Sequence, residues 1–162
     1  WEQEQFDGST ATFEMLKRKN SVGILPIVGD KILVIREEQP HSKERYALVG
    51  GQQDKGETAL DAAKREMQEE IGYSAEKWEL WKERSIDSRI EWTISTFIAR
   101  DCKKTSEPHL DPGERIQPLL VTFDEFMEII LDPEFRSKDV TLDILTFYYH
   151  GKLDEFKKML FQ

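Results

Sequence analysis

Three glutamates crowd one short stretch of this chain. Glu66, Glu69 and Glu70 lie in the run GGQQDKGETALDAAKREMQEEIGY, from Gly50 to Tyr73. On a helix, residues three and four apart are neighbours, and like charges there repel. Such a trio is either left in open solvent or has a cation between its members. Carboxylate oxygens are hard ligands that suit magnesium or manganese. Glu66 and Glu70, one turn apart, can hold such an ion from one side. Glu69 can take a second ion or its water. Metal ions held this way neutralise a diphosphate and activate a water. Arg65 is charged and rigid, which suits it to orienting a glutamate. Glu57 is expected to brace the loop against the helix, through Arg65. Gly50, Gly51 and Gly56 let the backbone turn and approach phosphate closely.

The elements around this stretch must place it. Thr58 is the expected N-cap, with Asp61 in the first turn where the helix dipole favours an anion. Leu60, Ala63, Met67 and Ile71 form one apolar face, and Gly72 ends the helix. The glutamates fall beside that face, not opposite it, so they belong at the edge of a packed surface where a cleft can form. Upstream, VGILPIV (22–28) and KILVIRE (31–37) flank Gly29-Asp30, the pattern of a hairpin. Pro26 is expected at an edge or a bulge. Residues 39–45 read as a loop, and 46–51 as a short strand leading into the glycines. Residues 1–10 read as an irregular arm, and Thr12 to Lys19 as a strand.

Downstream, 76–86 and 90–100 alternate as paired strands. Residues 101–114 lack periodicity and read as a long loop, of the kind that often carries function. Residues 115–121 read as a strand interrupted by Pro118. Thr122 and Glu125 make a capping box, with Val121 and Phe126 spaced as a hydrophobic staple. That helix should stop at Asp132-Pro133. Further helices are expected over 139–149, ended by Gly151, and over 152–161.

The 162 residues suit one domain, 1–162, with a sizeable core. The net charge of −9 argues against nonspecific binding to nucleic acid, and an anionic substrate would need local cations. Cys102 is the single cysteine, which excludes an intramolecular disulfide and suits a reducing cytoplasm. No apolar run approaches the ~18 residues that span a membrane, and no signal peptide is visible.

The spacing Gly51-x5-Glu57-x7-Arg65-Glu66-Met67-x-Glu69-Glu70-x-Gly72-Tyr73 resembles the Nudix box, G-x5-E-x7-R-E-U-x-E-E-x-G-U, where U is bulky and apolar. Tyr73 stands where an aliphatic residue is usual. The resemblance implies a Nudix fold, an α/β/α sandwich with a mixed sheet. It also implies Mg²⁺-dependent (or Mn²⁺-dependent) hydrolysis of a nucleoside diphosphate linked to another group. The metal ligands carried over are Glu66, Glu69, Glu70 and the Gly51 carbonyl. The order FDGS (6–9), FE (13–14), then a hairpin ending near EEQP resembles the ADP-ribose pyrophosphatase branch. That likeness implies an N-terminal arm, residues 1–20, that helps build a homodimer and its pocket. It places Arg36 and Glu91 as substrate-binding residues. It also offers Glu114 as general base, with Glu107, Asp111 and the helix's own Glu69 as rivals. The chain departs from the branch at Asp87-Ser88-Arg89, where a Pro-Gly pair is usual. It departs again at Ala47–Gly51, which reads ALVGG where ELPAG is usual.

Two other readings stay open at this point. One is a house-cleaning nucleoside triphosphatase; the other is a Nudix-fold sensor that binds a nucleotide sugar without cleaving it. Trp78, Trp81 and Trp92 can stack on a base or pack in the core. His41, His109 and His150 have no metal-ligand spacing and are given no role.

Overall fold

The computed structural model describes residues 1–40 and 42–162. Strands β1 (Glu2–Glu4), β2 (Thr10–Thr12), β3 (Leu16–Lys17), β4 (Ser21–Val28), β5 (Lys31–Gln39) and β6 (Ser42–Ala47) precede helix α1 (Ala59–Ile71). Then come β7 (Tyr73–Ser74), β8 (Lys77–Asp87), β9 (Ile90–Arg100), β10 (Lys103–Lys104) and β11 (Arg115–Val121). Helices α2 (Phe123–Leu131), α3 (Lys138–Tyr149) and α4 (Leu153–Phe161) complete the chain.

The main sheet runs β11-β5-β4-β9-β3, with β6 also paired to β5 and β8 to β9. β9 lies parallel to β3 and β4, and the other pairs are antiparallel, so the sheet is mixed. Side-chain alternation along the strands feeds two cores. Leu25, Ile27, Ile32, Val34 and Ile98 point to the layer of α2, α3 and α4. Val22, Ile24, Leu33, Ile35, Phe97 and Ala99 point to α1. Central strands apolar on both faces need a helix layer on each side. This is the expected α/β/α sandwich.

The β4–β5 hairpin forms about Gly29-Asp30, but it pairs only through Ile27–Ile32 and Val28–Lys31. Beyond that β4 changes partner: Ile24 N donates to Val49 O at 2.8 Å and Val22 N to Gly51 O at 2.9 Å. Pro26 comes next in that alternating series, at the point where one partner gives way to the other. It is therefore buried inside a central strand, not at an edge as expected, because no ladder donor is required there.

Five other expectations are corrected. Residues 42–45 of the supposed loop belong to β6, which runs on to Ala47 and pairs along β5; His41 lies outside the described residues. The arm is not irregular: β1 and β2 pair as a hairpin of their own. The strand expected over 12–19 is only the short β3. Within the long loop, β10 pairs with β7. Finally, β11 runs uninterrupted through Pro118, opposite Ile35. It is an edge strand, where a missing N–H can face outward. The capping box at Thr122 is complete, with the Glu125 carboxylate accepting from Thr122 N at 2.7 Å. Among the described residues no helix is long and apolar enough to cross a membrane.

Candidate active site

Helix α1 begins and ends where its sequence dictates. Thr58 Oγ1 accepts from Asp61 N at 3.1 Å. Gly72, with φ of 72°, closes the helix in a left-handed conformation. A side chain there would meet Ser106 O at 2.1 Å, so only glycine fits both the turn and the neighbour. Ala62, Ala63, Met67 and Ile71 bury the apolar face. Glu66 and Glu70 flank it, and Glu70 is only 8% exposed.

Arg65 binds the glutamates and the preceding loop into one unit. Its Nε and Nη2 donate to the two oxygens of Glu57, at 2.8 and 3.1 Å. Its Nη1 donates to Glu66 Oε1 at 3.0 Å and to Glu69 Oε2 at 2.9 Å. Nη2 also reaches Gln52 O at 2.9 Å, and Asp54 N donates to Glu57 at 3.0 Å. Such forked guanidinium–carboxylate geometry is specific to arginine. The Arg65 and Asp54 donors hold the Glu57 carboxyl at about 2, well below its usual value.

The loop approaches from the other side. Gly50 N donates to Glu70 Oε2 at 2.9 Å. A Cβ on Gly51 would lie 2.3 Å from Glu66 Oε1, and one on Gly50 would lie 2.1 Å from Val22 O. Gly50 is therefore required by the close approach of backbone, and a side chain on Gly51 would push the Glu66 carboxylate aside. Burial pushes Glu66 up and pushes Glu70 well up, against the pull of Arg65 on the first and Gly50 N–H on the second. The charges of Glu69 and Glu114 add to the effect on Glu66; those of Glu66, Glu114 and Glu37 add to it on Glu70.

A cleft of about 480 Å³ opens here, bordered by α1, the Gly50–Gln52 loop and the segment from His109 to Glu114. That segment is stitched to the end of α1: Thr105 N and Ser106 N donate to Gly72 O, and His109 N donates to Glu69 O at 2.8 Å. Glu114 and Asp111 border the cleft, and burial raises the Glu114 carboxyl. Glu107 points away to Lys104, at 3.0 Å. The cleft thus brings together Gly51, Arg65, Glu66, Glu69, Glu70 and Glu114, with Glu57 behind Arg65. It does not bring in Arg36 or Glu91. Arg36 pairs with Glu44 on the neighbouring strand, and Glu91 with Lys17.

Among the described residues no three acidic, His or Cys side chains already form a metal cage. The donor chemistry nonetheless fits a hard divalent ion. Glu66 is half-buried beside Arg65, Glu70 is buried with only the Gly50 N–H as partner among the described residues, and the Gly51 carbonyl, which accepts from Val22 N, retains a second lone pair.

A second cleft, of about 310 Å³, lies across the Gly50–Gln52 loop. Trp92 lines it; its indole N–H donates to Ser21 Oγ at 3.1 Å, and Arg18 lies 4.2 Å over its ring. Trp78 and Trp81 instead pack in the core, against Phe97 and Phe156. Sequence reasoning missed Glu37 and Arg136. Glu37 is 5% exposed and is held by Arg45 and Arg136. The only local signal was a charge two residues past the apolar run of β5. Its partners lie 8 and 99 positions away.

The sequence model of the NUDIX domain matches residues 17–141. The methanol dehydrogenase activator of Bacillus methanolicus is 27% identical over 139 residues, covering 83% of this chain and 75% of its own. The ADP compounds hydrolase NudE of Escherichia coli is 29% identical over 136 residues, covering 81% and 72%. Among solved structures, an ADP compounds hydrolase superposes with a TM-score of 0.74 at 23% identity, over 93% of this chain and 84% of its own. That last likeness speaks for the fold. The domain match spans well over half the sequence and includes the whole of α1 and its glycine loop, so the chain belongs to the Nudix family, hydrolases of pyrophosphate bonds.

Proposed function

We propose that the protein hydrolyses nucleoside diphosphate derivatives, with ADP-ribose or another nucleotide sugar as the favoured class. The observation that carries this is two clefts sharing one glycine partition. One holds Glu66 and the buried Glu70; the other offers the Trp92 face. A diphosphate fits the first, and a flat base or sugar fits the second. The E. coli relative's name, ADP compounds hydrolase, supports the nucleotide class, as does the resemblance at residues 6–14.

Nudix proteins generally need divalent metal ions. In this reading Mg²⁺, with Mn²⁺ as a substitute, is held by Glu66, Glu69, Glu70 and the Gly51 carbonyl. The ion supplies positive charge to the diphosphate and makes a water more acidic. Arg65 keeps the carboxylates in place, with Glu57 as its anchor. Glu114 takes the proton from the attacking water, with Asp111 and Glu69 as the rivals within reach of the cleft. Water adds to phosphorus, the P–O bond of the bridging oxygen breaks, and a nucleoside monophosphate and a sugar phosphate leave.

We further read residues 1–162 as one domain acting as a homodimer in the cytoplasm, with no nucleic-acid or membrane partner. The exposed Phe6, Met15 and Leu16 of the N-terminal arm support a covering second copy. The deciding experiment incubates the protein with nucleotide sugars, dinucleotides and dNTPs plus Mg²⁺ and identifies products by mass. Nucleoside monophosphate from a nucleotide sugar is expected. Pyrophosphate from dNTPs alone, with nucleotide sugars untouched, overturns the substrate assignment.

A further inference from the structure

The two clefts meet at a side chain that the steps above leave unused. Arg136 lies in the turn between α2 and α3 and borders both clefts. Its backbone is fixed: Arg136 N donates to Tyr46 O at 2.9 Å, and the adjacent Phe135 is fully buried. Its Nη1 donates to both oxygens of Glu37, at 2.8 and 2.9 Å. Glu37 takes a second guanidinium, Arg45 Nε, at 3.1 Å. Burying a carboxylate is costly, and a buried ion pair is a poor source of stability. What this pair does is orient a planar fork. Half of the Arg136 side chain stays open, and its Nε and Nη2 engage no group among the described residues.

The other cations at the acidic cleft are committed. Lys19 pairs with Asp54 at 3.0 Å, and Arg65 is held by Glu57, Glu66 and Glu69. A diphosphate arriving among these carboxylates therefore finds an open guanidinium edge at Arg136. Guanidinium forks match phosphate oxygens two at a time.

Building on the proposed hydrolysis, we propose that Arg136 is the substrate-binding clamp that seats the diphosphate across the Gly50–Gln52 partition, with Glu37 as its positioning residue. The clamp sets which phosphate faces Glu66 and Glu70, and the substituent on the other phosphate is directed towards Trp92.

The probe is α,β-methylene-ADP, whose bridging carbon resists hydrolysis, titrated calorimetrically with Mg²⁺. Parent protein binds it. Arg136→Gln weakens binding roughly 10- to 100-fold, the scale of losing charge-assisted hydrogen bonds. Arg136→Lys keeps the charge and a contact to Glu37, so it melts like the parent yet binds about tenfold more weakly. Glu37→Gln raises KM more than it lowers kcat. Parent-like binding by folded Arg136→Lys and Arg136→Gln overturns the clamp, as does absence of binding by the parent. If the parent turns over no nucleotide sugar but shows Arg136-dependent binding, the hydrolysis reading fails and the clamp stands. If Arg136→Gln does not fold, the lysine variant decides.

Discussion

The two sides of the Gly50–Gln52 partition are built in opposite ways. The acidic side is mostly local: Glu57, Arg65, Glu66, Glu69 and Glu70 fall within fourteen consecutive residues, 57–70, and Arg65 ties Glu57, Glu66 and Glu69 together while Gly50 N–H holds Glu70. The Trp92 side is assembled from afar, from Arg18, Ser21, Leu48, Trp92 and Ser137 on separate elements. In the proposed reading the metal-holding carboxylates sit on one helix, where spacing fixes geometry, and only the base, Glu114, comes from elsewhere. Recognition is spread over several elements, where it can vary without disturbing that geometry.

This contrast predicts that damage on the two sides differs in kind. The largest effect is expected from Glu70→Gln, with kcat falling roughly a thousandfold or more, the scale of losing transition-state charge stabilisation. Circular dichroism should show the fold retained. Near-parent turnover would remove Glu70 from the reaction. Next is Gly51→Ala: its Cβ would sit 2.3 Å from Glu66 Oε1 and must displace it. About a hundredfold loss in kcat is expected, since misplacement of roughly an ångström costs that much. A rise in KM alone would show the glycine serving the other cleft instead.

Trp92→Ala should act differently, raising KM roughly tenfold while kcat stays within about twofold, as expected for lost stacking on a base. A kcat loss as large as that of Gly51→Ala would erase the division between the two sides. The smallest effect concerns Glu57. Its folded value of about 2 lies below the ordinary 4.5. It therefore adds stability above pH 4.5 that disappears as the pH falls through about 2. Melting temperature should fall more steeply over that window for the parent than for Glu57→Gln. Equal slopes would mean that the Arg65 fork is loose in solution.

The same division decides what could be read from the chain before its fold was known. Helix α1 was legible to both ends, because Thr58 and Gly72 act within their own turn and the apolar face follows a local period. The Glu57–Arg65 brace was legible for the same reason, eight residues apart. The hairpin turn at Gly29-Asp30 was also visible, but the change of partner along β4 was not. It depends on residues 49 to 51 arriving from another part of the chain, and so Pro26 was misjudged. β6 was mistaken for a loop because its polar run, Ser42 to Arg45, has little apolar alternation; its pairing comes from β5. Glu37 and Arg136 were invisible for a stronger reason. A buried carboxylate and its guanidinium carry no pattern when 99 positions separate them. Trp92 could be named as a candidate, but nothing in sequence distinguished it from Trp78 and Trp81, which the core absorbs.

The stitching of residues 105–109 to the end of α1 has a dynamic consequence. The carbonyls of Glu69 and Gly72 hold the amides of Thr105, Ser106 and His109. The cleft's outer wall therefore cannot swing away unless the last turn of the helix frays with it. Amide hydrogen exchange at these three positions should be slow, and it should keep pace with the helix end as one cooperative unit. Release of a product that needs this wall to open would then be timed by local unfolding of the helix that carries the carboxylates.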